Sequence, residues 1–210
     1  MSRQEPTYEE CYALILLQEC LGMSDLKLSD RPDIRCNNQV GIEVVSALFE
    51  AEKRIETILQ RRREGKKADP IPAGYTETCF LMGPTMVEHN WMKIDKYDRS
   101  TSDAIELIKS AIDDKKAKVN SYNEANNFNT DRLFVFADLG VDDEIDLNTI
   151  GKDIYQYAQG DFHTLYISVR DASCLMVCDA NGVYLYYHQE KQYEYSLLAY
   201  DMYKKECGHE

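Results

Sequence analysis

Two carboxylates, Asp33 and Glu43, stand where the chain predicts a β-hairpin. Asp33 lies in the first of the two strands, and Glu43 lies between Ile42 and Val44 in the second. An ionised carboxylate on a buried strand is costly unless it pairs with a cation or binds a metal ion. Hard oxygen ligands of this kind suit Mg²⁺ or Mn²⁺. The pattern indicates a divalent cation shared by Asp33 and Glu43; the alternatives are an ion pair between Glu43 and Arg35 and a simple turn role for Asp33.

The elements that would position these carboxylates follow from hydrophobic periodicity and turn residues. A helix is predicted at 8–21, where a capping box that includes Glu10 precedes apolar residues at helical spacing. The strands of the hairpin and the helix that follows them are predicted at 31–36, 40–47 and 48–64. The hairpin is therefore expected between two helices.

The remaining chain alternates between strand and helix patterns. A near-continuous apolar run at 132–138 is typical of a strand buried on both faces. The other strands are expected at 75–82, 164–169, 175–178 and 183–188, and the other helices at 102–123, 147–157 and 197–205. Residues 84–97 fit no element. This order predicts an α/β fold class, with residues 1–210 as a single domain in which helices flank a mixed central sheet.

One segment of this pattern resembles a known family. A helix, Pro-Asp on a strand, a glutamate ten residues later in an apolar Gly-Ile-Glu-Val strand and a second helix resemble the PD-(D/E)XK nuclease superfamily, over residues 8–64. The resemblance implies a restriction-endonuclease-like core whose two carboxylates hold a metal ion. That ion lowers the pKa of a water molecule, or positions it, for attack on a phosphodiester. Carried onto this chain, the resemblance implies Asp33 and Glu43 as metal ligands and Glu9 or Glu10 as the additional acidic residue of the first helix.

The chain departs from this family at one position. The family's lysine should stand two residues after the glutamate, and this chain has Val45 there. Valine carries no charge with which to position a water molecule or stabilise a developing anion. One interpretation moves the basic group to the following helix, where Lys53 and Arg54 lie. The other keeps the fold and loses the catalysis.

Two hypotheses for function follow. The first is a metal-dependent nuclease that hydrolyses DNA, with Asp33 and Glu43 as ligands of Mg²⁺ or Mn²⁺, Lys53 as an electrostatic helper and Glu10 as the further acidic residue. The second is a catalytically inactive nuclease-like domain that binds a protein partner or acts as a scaffold. A homodimer agrees with either hypothesis, because many nucleases of this fold are dimeric.

Two further groups of side chains have both a functional and a structural interpretation. Lys115, Lys116 and Lys118 lie toward the end of a predicted helix, where they would contact phosphates or form a solvated helix tail. Tyr184 and Tyr186 share one face of a predicted strand, where they would stack on bases or pack in the sheet. The sequence leaves both pairs of alternatives open.

Composition limits the class of protein. The 210 residues include 37 acidic and 24 basic side chains, and the net charge of −13 excludes a uniformly basic nucleic-acid coat but not a local basic face. No apolar stretch reaches the length of about 18 residues that a membrane helix needs, and the polar first residues lack the apolar region of a signal peptide. We therefore expect a cytoplasmic protein without a membrane segment, in which most of the seven cysteines are reduced and buried.

Overall fold

The computed structural model describes most of the chain. The described residues are 5–37, 40–48, 50–63, 65–73, 75–82, 86–93, 100–126, 129–140 and 145–207. By its internal contacts the chain divides into two compact units, one of Met1–Ala47 with Ser100–Glu210 and the other of Leu48–Arg99. The expectation that residues 1–210 form a single domain stays a prediction.

The described residues form five α-helices and nine strands. In chain order these are α1 (Tyr8–Leu21), β1 (Leu26–Leu28), β2 (Ile34–Cys36), β3 (Val40–Ala47), α2 (Glu50–Arg63), β4 (Tyr75–Met82), β5 (Met86–Lys93), α3 (Thr101–Asn126), β6 (Asn129–Ala137), α4 (Leu147–Ala158), β7 (Thr164–Val169), β8 (Cys174–Asp179), β9 (Gly182–Tyr187) and α5 (Gln192–Cys207). The helix, hairpin and helix expected around Asp33 and Glu43 are therefore present.

Seven strands of the larger unit form one mixed sheet, in the order β1-β2-β3-β6-β7-β8-β9. The central strands β3, β6 and β7 are parallel, and the other neighbours are antiparallel. On β6, Leu133 and Val135 pack on one face of the sheet and Phe134 and Phe136 on the other. Burial on both faces explains the apolar run that the sequence shows there. The predicted mixed α/β sheet is confirmed.

Helices cover both faces of this sheet. Residues of α3 and α4, such as Ile112 and Ile154, join Val135 in the core of one face. The core of the other face includes Phe134 of β6 and Ile42 of β3, packed with residues of α1 and α5. Each large apolar side chain buried in this way contributes about 1.5–3 kcal/mol to stability. Successive residues of β3 therefore face different helices.

The start of α1 matches the capping prediction. Thr7 Oγ1 accepts a hydrogen bond from the Glu10 N–H at 3.2 Å, and Glu10 Oε2 accepts one from the Thr7 N–H at 3.0 Å. This reciprocal pair satisfies two backbone donors that the helix leaves open. The helix ends at Gly22, whose φ of 63° is the left-handed conformation that glycine adopts readily. The cap also fixes the position of the Glu10 side chain.

Two strands near the hairpin differ from the prediction. β2 begins at Ile34 instead of residue 31, because the residues before it form a turn in which the Ser29 N–H donates to the carbonyl oxygen of Asp33 at 2.8 Å. β1, the three-residue strand at Leu26–Leu28, was not predicted. Three residues are too few to show a period-2 pattern.

The C-terminal helix is longer than the sequence indicates. α5 begins at Gln192, five residues before the predicted start at 197. Tyr193 and Tyr195 alternate along the sequence as they would in a strand, yet both lie on this helix. Packing against α1 overrides the local pattern, since Tyr195 and Tyr203 are buried in the core that α1 shares.

The smaller unit consists of α2 and a hairpin. β4 and β5 pair antiparallel, from Tyr75 opposite Lys93 to Met82 opposite Met86. β4 was predicted, whereas β5 lies in the segment for which the sequence predicted no element. The helix prediction at 48–64 agrees with α2 to within two residues at each end.

Two observations on the described residues concern the expectations from composition, a missing membrane segment and reduced cysteines. Within the described ranges, no helix combines the length and the apolar character that crossing a bilayer requires. Six cysteines are free thiols, the buried Cys11, Cys174 and Cys178 and the half-buried Cys20, Cys36 and Cys207. Burial raises the pKa of the Cys178 thiol to about 12, which keeps it protonated and unreactive at neutral pH.

Candidate functional site

The β2–β3 hairpin brings the two predicted carboxylates together. Ile34 pairs with Ile42, so the same antiparallel register, continued by one residue, sets Asp33 opposite Glu43. Asp33 Oδ2 accepts a hydrogen bond from the backbone N–H of Val44 at 2.7 Å. This bond ties the residue before β2 to β3 and fixes the carboxylate beside Glu43.

A glycine makes this close approach of the two chain segments feasible. A Cβ atom at Gly41 would overlap the ring of Pro32 and would lie 2.7 Å from Thr130 Oγ1 on β6. Real Cβ atoms do not approach other heavy atoms that closely, so only glycine fits between the Pro32 ring and β6. The position of Asp33, the neighbour of Pro32, therefore depends on the missing side chain at residue 41.

Lys115 of α3 completes the ion pair that Glu43 needs. Its Nζ lies 2.6 Å from Glu43 Oε2 and 3.3 Å from Asp33 Oδ2. The three side chains are largely shielded from solvent, with exposed fractions of 14% for Lys115, 16% for Asp33 and 6% for Glu43. Glu43 therefore has the cationic partner that a buried carboxylate requires, and that partner is Lys115.

Glu10 of α1 is the fourth charged group at this place. Its pKa is raised from 4.5 to about 7, mainly by burial and next by the nearby Asp33 carboxylate, while the hydrogen bond with Thr7 and the charge of Lys115 act in the opposite direction. The acidic residue expected on the first helix is thus electrostatically coupled to Asp33. We call Glu10, Asp33, Glu43 and Lys115 the carboxylate–lysine cluster.

The cluster carries more negative than positive charge. Burial and the neighbouring Glu43 raise the pKa of Asp33 above its ordinary value, against the opposing effects of Lys115 and the Val44 N–H. Burial opposes the charge on Lys115, but Asp33 and Glu43 outweigh it and raise the pKa of that ammonium group. Lys115 therefore stays protonated, while one ammonium group faces three carboxyl groups.

The raised pKa of Glu10 predicts a specific pH dependence. Between about pH 4.5 and 7 the unfolded chain ionises Glu10 while the folded chain keeps the proton, so this group lowers stability as pH rises through that window. We expect Glu10→Gln, which preserves the capping box, to raise the free energy of unfolding at pH 8 by about 1–2 kcal/mol. Urea denaturation at pH 5 and pH 8 measures the difference, which should be much smaller at pH 5.

The matched control for this change is Glu19→Gln, at an exposed position near the other end of α1. It should leave stability unchanged at both pH values. A Glu10→Gln effect of equal size at pH 5 and pH 8 would contradict the electrostatic explanation.

Lys53, the lysine predicted as an electrostatic helper, belongs to the other compact unit. It is an exposed residue of α2, in the smaller unit, and Arg54 beside it is also exposed. A catalytic role for Lys53 stays a prediction. The lysine that the structure brings to Asp33 and Glu43 is Lys115.

The spacing of residues along α3 is a sequence signal that places Lys115 on the apolar face of the helix. The apolar face of α3 is formed by Ile108, Ile112 and Val119, and Lys115 follows Ile112 by three residues and precedes Val119 by four. Residues at these spacings share one face of a helix. A lysine inside an apolar stripe points toward the core, where it requires an anionic partner. Lys116 instead pairs with Asp161 at the surface, with 2.7 Å between Nζ and Oδ2.

The metal prediction is a separate matter from the ion pair. Among the residues that the structure describes, no group of three or more His, Cys, Asp or Glu side chains is arranged to hold a metal ion. Asp33 and Glu43 as a pair of ligands for Mg²⁺ or Mn²⁺ therefore stay a prediction.

Comparison with known proteins leaves the cluster to be interpreted from its own chemistry. The chain matches no protein-family model, no curated protein and no solved structure. Four separate elements of the larger unit supply the cluster: α1, the turn before β2, strand β3 and helix α3. In it, three carboxyl groups and one ammonium group, mostly shielded from water, shift one another's pKa values.

Proposed function

We propose that this protein is a metal-dependent nuclease with a restriction-endonuclease-like core, which hydrolyses DNA phosphodiester bonds at the carboxylate–lysine cluster. The observation that carries the proposal is the approach of Lys115 Nζ to Glu43 Oε2, at 2.6 Å, and to Asp33 Oδ2, at 3.3 Å. The resemblance required a lysine beside these carboxylates, and Val45 does not supply it. Lys115 supplies the same charge from a different element.

The order of elements supports this proposal. A helix, an antiparallel hairpin with the two carboxylates and a later helix and parallel strand follow one another as α1, β2–β3, α3 and β6. α2 and the β4–β5 hairpin form their own compact unit, which lies between β3 and α3 in the sequence. This insertion accounts for the large sequence distance between Glu43 and Lys115.

The charge of the cluster fits a divalent cation. Three carboxyl groups against one ammonium group leave up to two negative charges uncompensated. Burial first, and the neighbouring carboxylates second, raise the pKa values of Glu10 and Asp33. Asp33 and Glu43 would hold the cation, as hard oxygen ligands. A bound Mg²⁺ or Mn²⁺ would lower the pKa of a water molecule and polarise a phosphoryl oxygen.

The chain's own residues have distinct tasks in this proposal. Lys115 holds a positive charge beside the reacting phosphate, where it stabilises the negative charge that develops on the phosphoryl oxygens. Glu10, with a pKa of about 7, exchanges a proton near neutral pH and is suited to take one from the attacking water. Val44 orients Asp33 through its backbone N–H.

Cleavage of supercoiled plasmid DNA with Mg²⁺ or Mn²⁺ tests the proposal. We expect cleavage that EDTA stops, and a loss of at least about 100-fold in Glu43→Gln and in Lys115→Met. Glu106→Gln is the control, because this exposed glutamate of α3 pairs with Lys109 at the helix surface and is not part of the carboxylate–lysine cluster. Mn²⁺ binding, measured by electron paramagnetic resonance, should be lost in Glu43→Gln. Cleavage that survives Glu43→Gln in folded protein would remove the hypothesis.

A second candidate is a catalytically inactive nuclease-like domain that binds a protein. The favouring observation is that Lys115 already neutralises Glu43, while Asp33 Oδ2 is satisfied by both Lys115 and the Val44 N–H. In that case the ion pairs of Lys115 with Glu43 and Asp33 stabilise the fold and have no catalytic role. A wild-type protein that binds no Mn²⁺ and cleaves no DNA, yet loses stability in Lys115→Met, would support this alternative.

A further inference from the structure

The two edges of the seven-stranded sheet differ in how they are protected. β1, at one edge, has only three residues and carries the exposed Lys27. Short edge strands and edge lysines are the devices by which proteins prevent pairing with another chain. β9, at the other edge, has six residues and contains neither a charged residue nor a proline. The β9 edge thus lacks the protection that the β1 edge has.

β9 is regular along its whole length. It pairs with β8 without a bulge, from Cys174 opposite Tyr187 to Asp179 opposite Gly182. Within the part of the chain that the structure describes, no second strand pairs with it. The backbone N–H and C=O groups on its outer side are therefore regularly spaced, as pairing with another extended strand requires.

The side chains of β9 are aromatic and exposed. The exposed fractions are 43% for Tyr184, 38% for Tyr186 and 67% for Tyr187. Val183 and Leu185 are half-buried and pack against the core under α3 and α4. Exposed tyrosines at an uncharged edge offer apolar contact area with little desolvation cost.

Two tyrosines of β9 lie symmetrically about Leu185. Tyr184 and Tyr186 flank this residue, and beyond them lie Val183 and Tyr187. In an antiparallel pair of two identical strands centred on Leu185, Tyr184 of each copy lies opposite Tyr186 of the other. Cross-strand aromatic pairs of this kind stabilise a sheet by about 0.2–1 kcal/mol each.

Charge does not oppose a second copy at the β9 edge itself. The chain has a net charge of −13, so two copies repel each other over most of their surface. Contact along β9 places no charged residue of the strand itself against its counterpart. A two-fold interface is self-complementary by definition, which the Tyr-Leu-Tyr centre of the strand satisfies.

We propose that β9 is a homodimer interface, in which it pairs antiparallel with β9 of a second copy, centred on Leu185, so that one sheet continues through both copies. This inference does not depend on the proposed nuclease activity, because it involves no residue of the carboxylate–lysine cluster. In this interface, Tyr184 and Tyr186 contact each other across the two copies.

Sedimentation velocity of the full chain at micromolar concentration tests the interface. We expect a dimer of about twice the 24.3 kDa chain mass. The double variant Tyr184→Lys/Tyr186→Lys sets like charges opposite each other in the proposed register and should be monomeric, as should Tyr184→Glu/Tyr186→Glu. Tyr157→Lys, at a tyrosine of α4 with a similar exposed fraction of 44%, is the control and should remain dimeric.

Mixing the two double variants tests the pairing itself. An equimolar mixture should recover the dimer, because each lysine then faces a glutamate of the other copy. Tyr184→Lys/Tyr186→Glu should dimerise by itself, since the antiparallel register again sets opposite charges against each other. This variant also keeps the proposal testable if the like-charged variants fail to fold.

Three results would overturn the proposal. One is a wild-type chain that stays monomeric over the concentration range, which would leave an extended segment of a different protein as the occupant of β9. The second is a dimer that persists in both like-charged variants, which would place the interface elsewhere. The third is a mixture that stays monomeric although both variants are folded.

Discussion

Replacing Lys115 with methionine should lower the free energy of unfolding by about 3 kcal/mol at pH 8, because the change leaves Glu43 and Asp33 without their shared ammonium group. Methionine keeps most of the apolar length of the lysine side chain, so the packing of α3 against β3 is largely preserved. The two carboxylates, which are mostly shielded from solvent, then repel each other. Urea denaturation at several pH values measures the loss.

The loss should depend on pH in a defined direction. Without the charge of Lys115, which lowers it, the pKa of Asp33 rises further, so that this carboxylate takes up a proton as pH falls and its repulsion with Glu43 weakens. The destabilisation should therefore be smaller at pH 5 than at pH 8. Under the proposed function, saturating Mn²⁺ should restore part of the lost stability, because a cation that binds the folded state stabilises it.

Lys109→Met is the control for this experiment. Lys109 lies on the same helix and pairs with Glu106 at the surface, with 2.7 Å between Nζ and Oε1. Exposed pairs of this kind contribute at most about 0.5 kcal/mol. Equal losses in Lys109→Met and Lys115→Met would show that the buried ion pair has no special weight in the fold.

Replacing Gly41 with alanine should destabilise the protein by about 1–3 kcal/mol and displace the turn that carries Asp33. The added methyl group would overlap the Pro32 ring on one side and approach Thr130 Oγ1 on the other. Relief of this overlap moves Pro32 away from β3 and stretches the bond between Asp33 Oδ2 and the Val44 N–H. Thermal unfolding measures the stability, and amide hydrogen exchange at Val44 reports the displacement.

Gly160→Ala is the matched control. Gly160 has an ordinary φ, and a Cβ atom there would meet no heavy atom within 4 Å. Its replacement should change stability by at most about 0.5 kcal/mol. If Gly41→Ala has the melting temperature of the wild type and the same rate of hydrogen exchange at the Val44 amide, the close approach at Pro32 does not position Asp33.

Local sequence patterns determined most of the secondary structure. The capping box of Thr7 and Glu10 and the apolar period of α1 are short-range features, and each is sufficient to define a helix start. The apolar run of β6 indicated a strand buried on both faces, and the hairpin of β2 and β3 followed from its turn. Where two patterns competed, as at Tyr193 and Tyr195, packing of the helix on α1 decided the outcome.

The sequence also indicated which residue needed a partner, but not which residue was that partner. Glu43 between Ile42 and Val44 showed that a buried charge required compensation. The compensating Lys115 is 72 residues away along the chain, beyond the whole unit of Leu48–Arg99. No spacing rule links residues at that distance. Only the parallel pairing of β3 with β6, with α3 packed across both strands, brings Lys115 to Glu43.

The same limit applies to the turn of Asp33 and to the edge of the sheet. The sequence shows a glycine at residue 41, but its necessity appears only when Pro32 and Thr130 are seen on either side of it. The sequence predicted a strand at 183–188, whereas the position of β9 at the edge is set by the order of the sheet. Local interactions determined the elements of this protein, and contacts between residues far apart in the chain determined its charged cluster and its open edge.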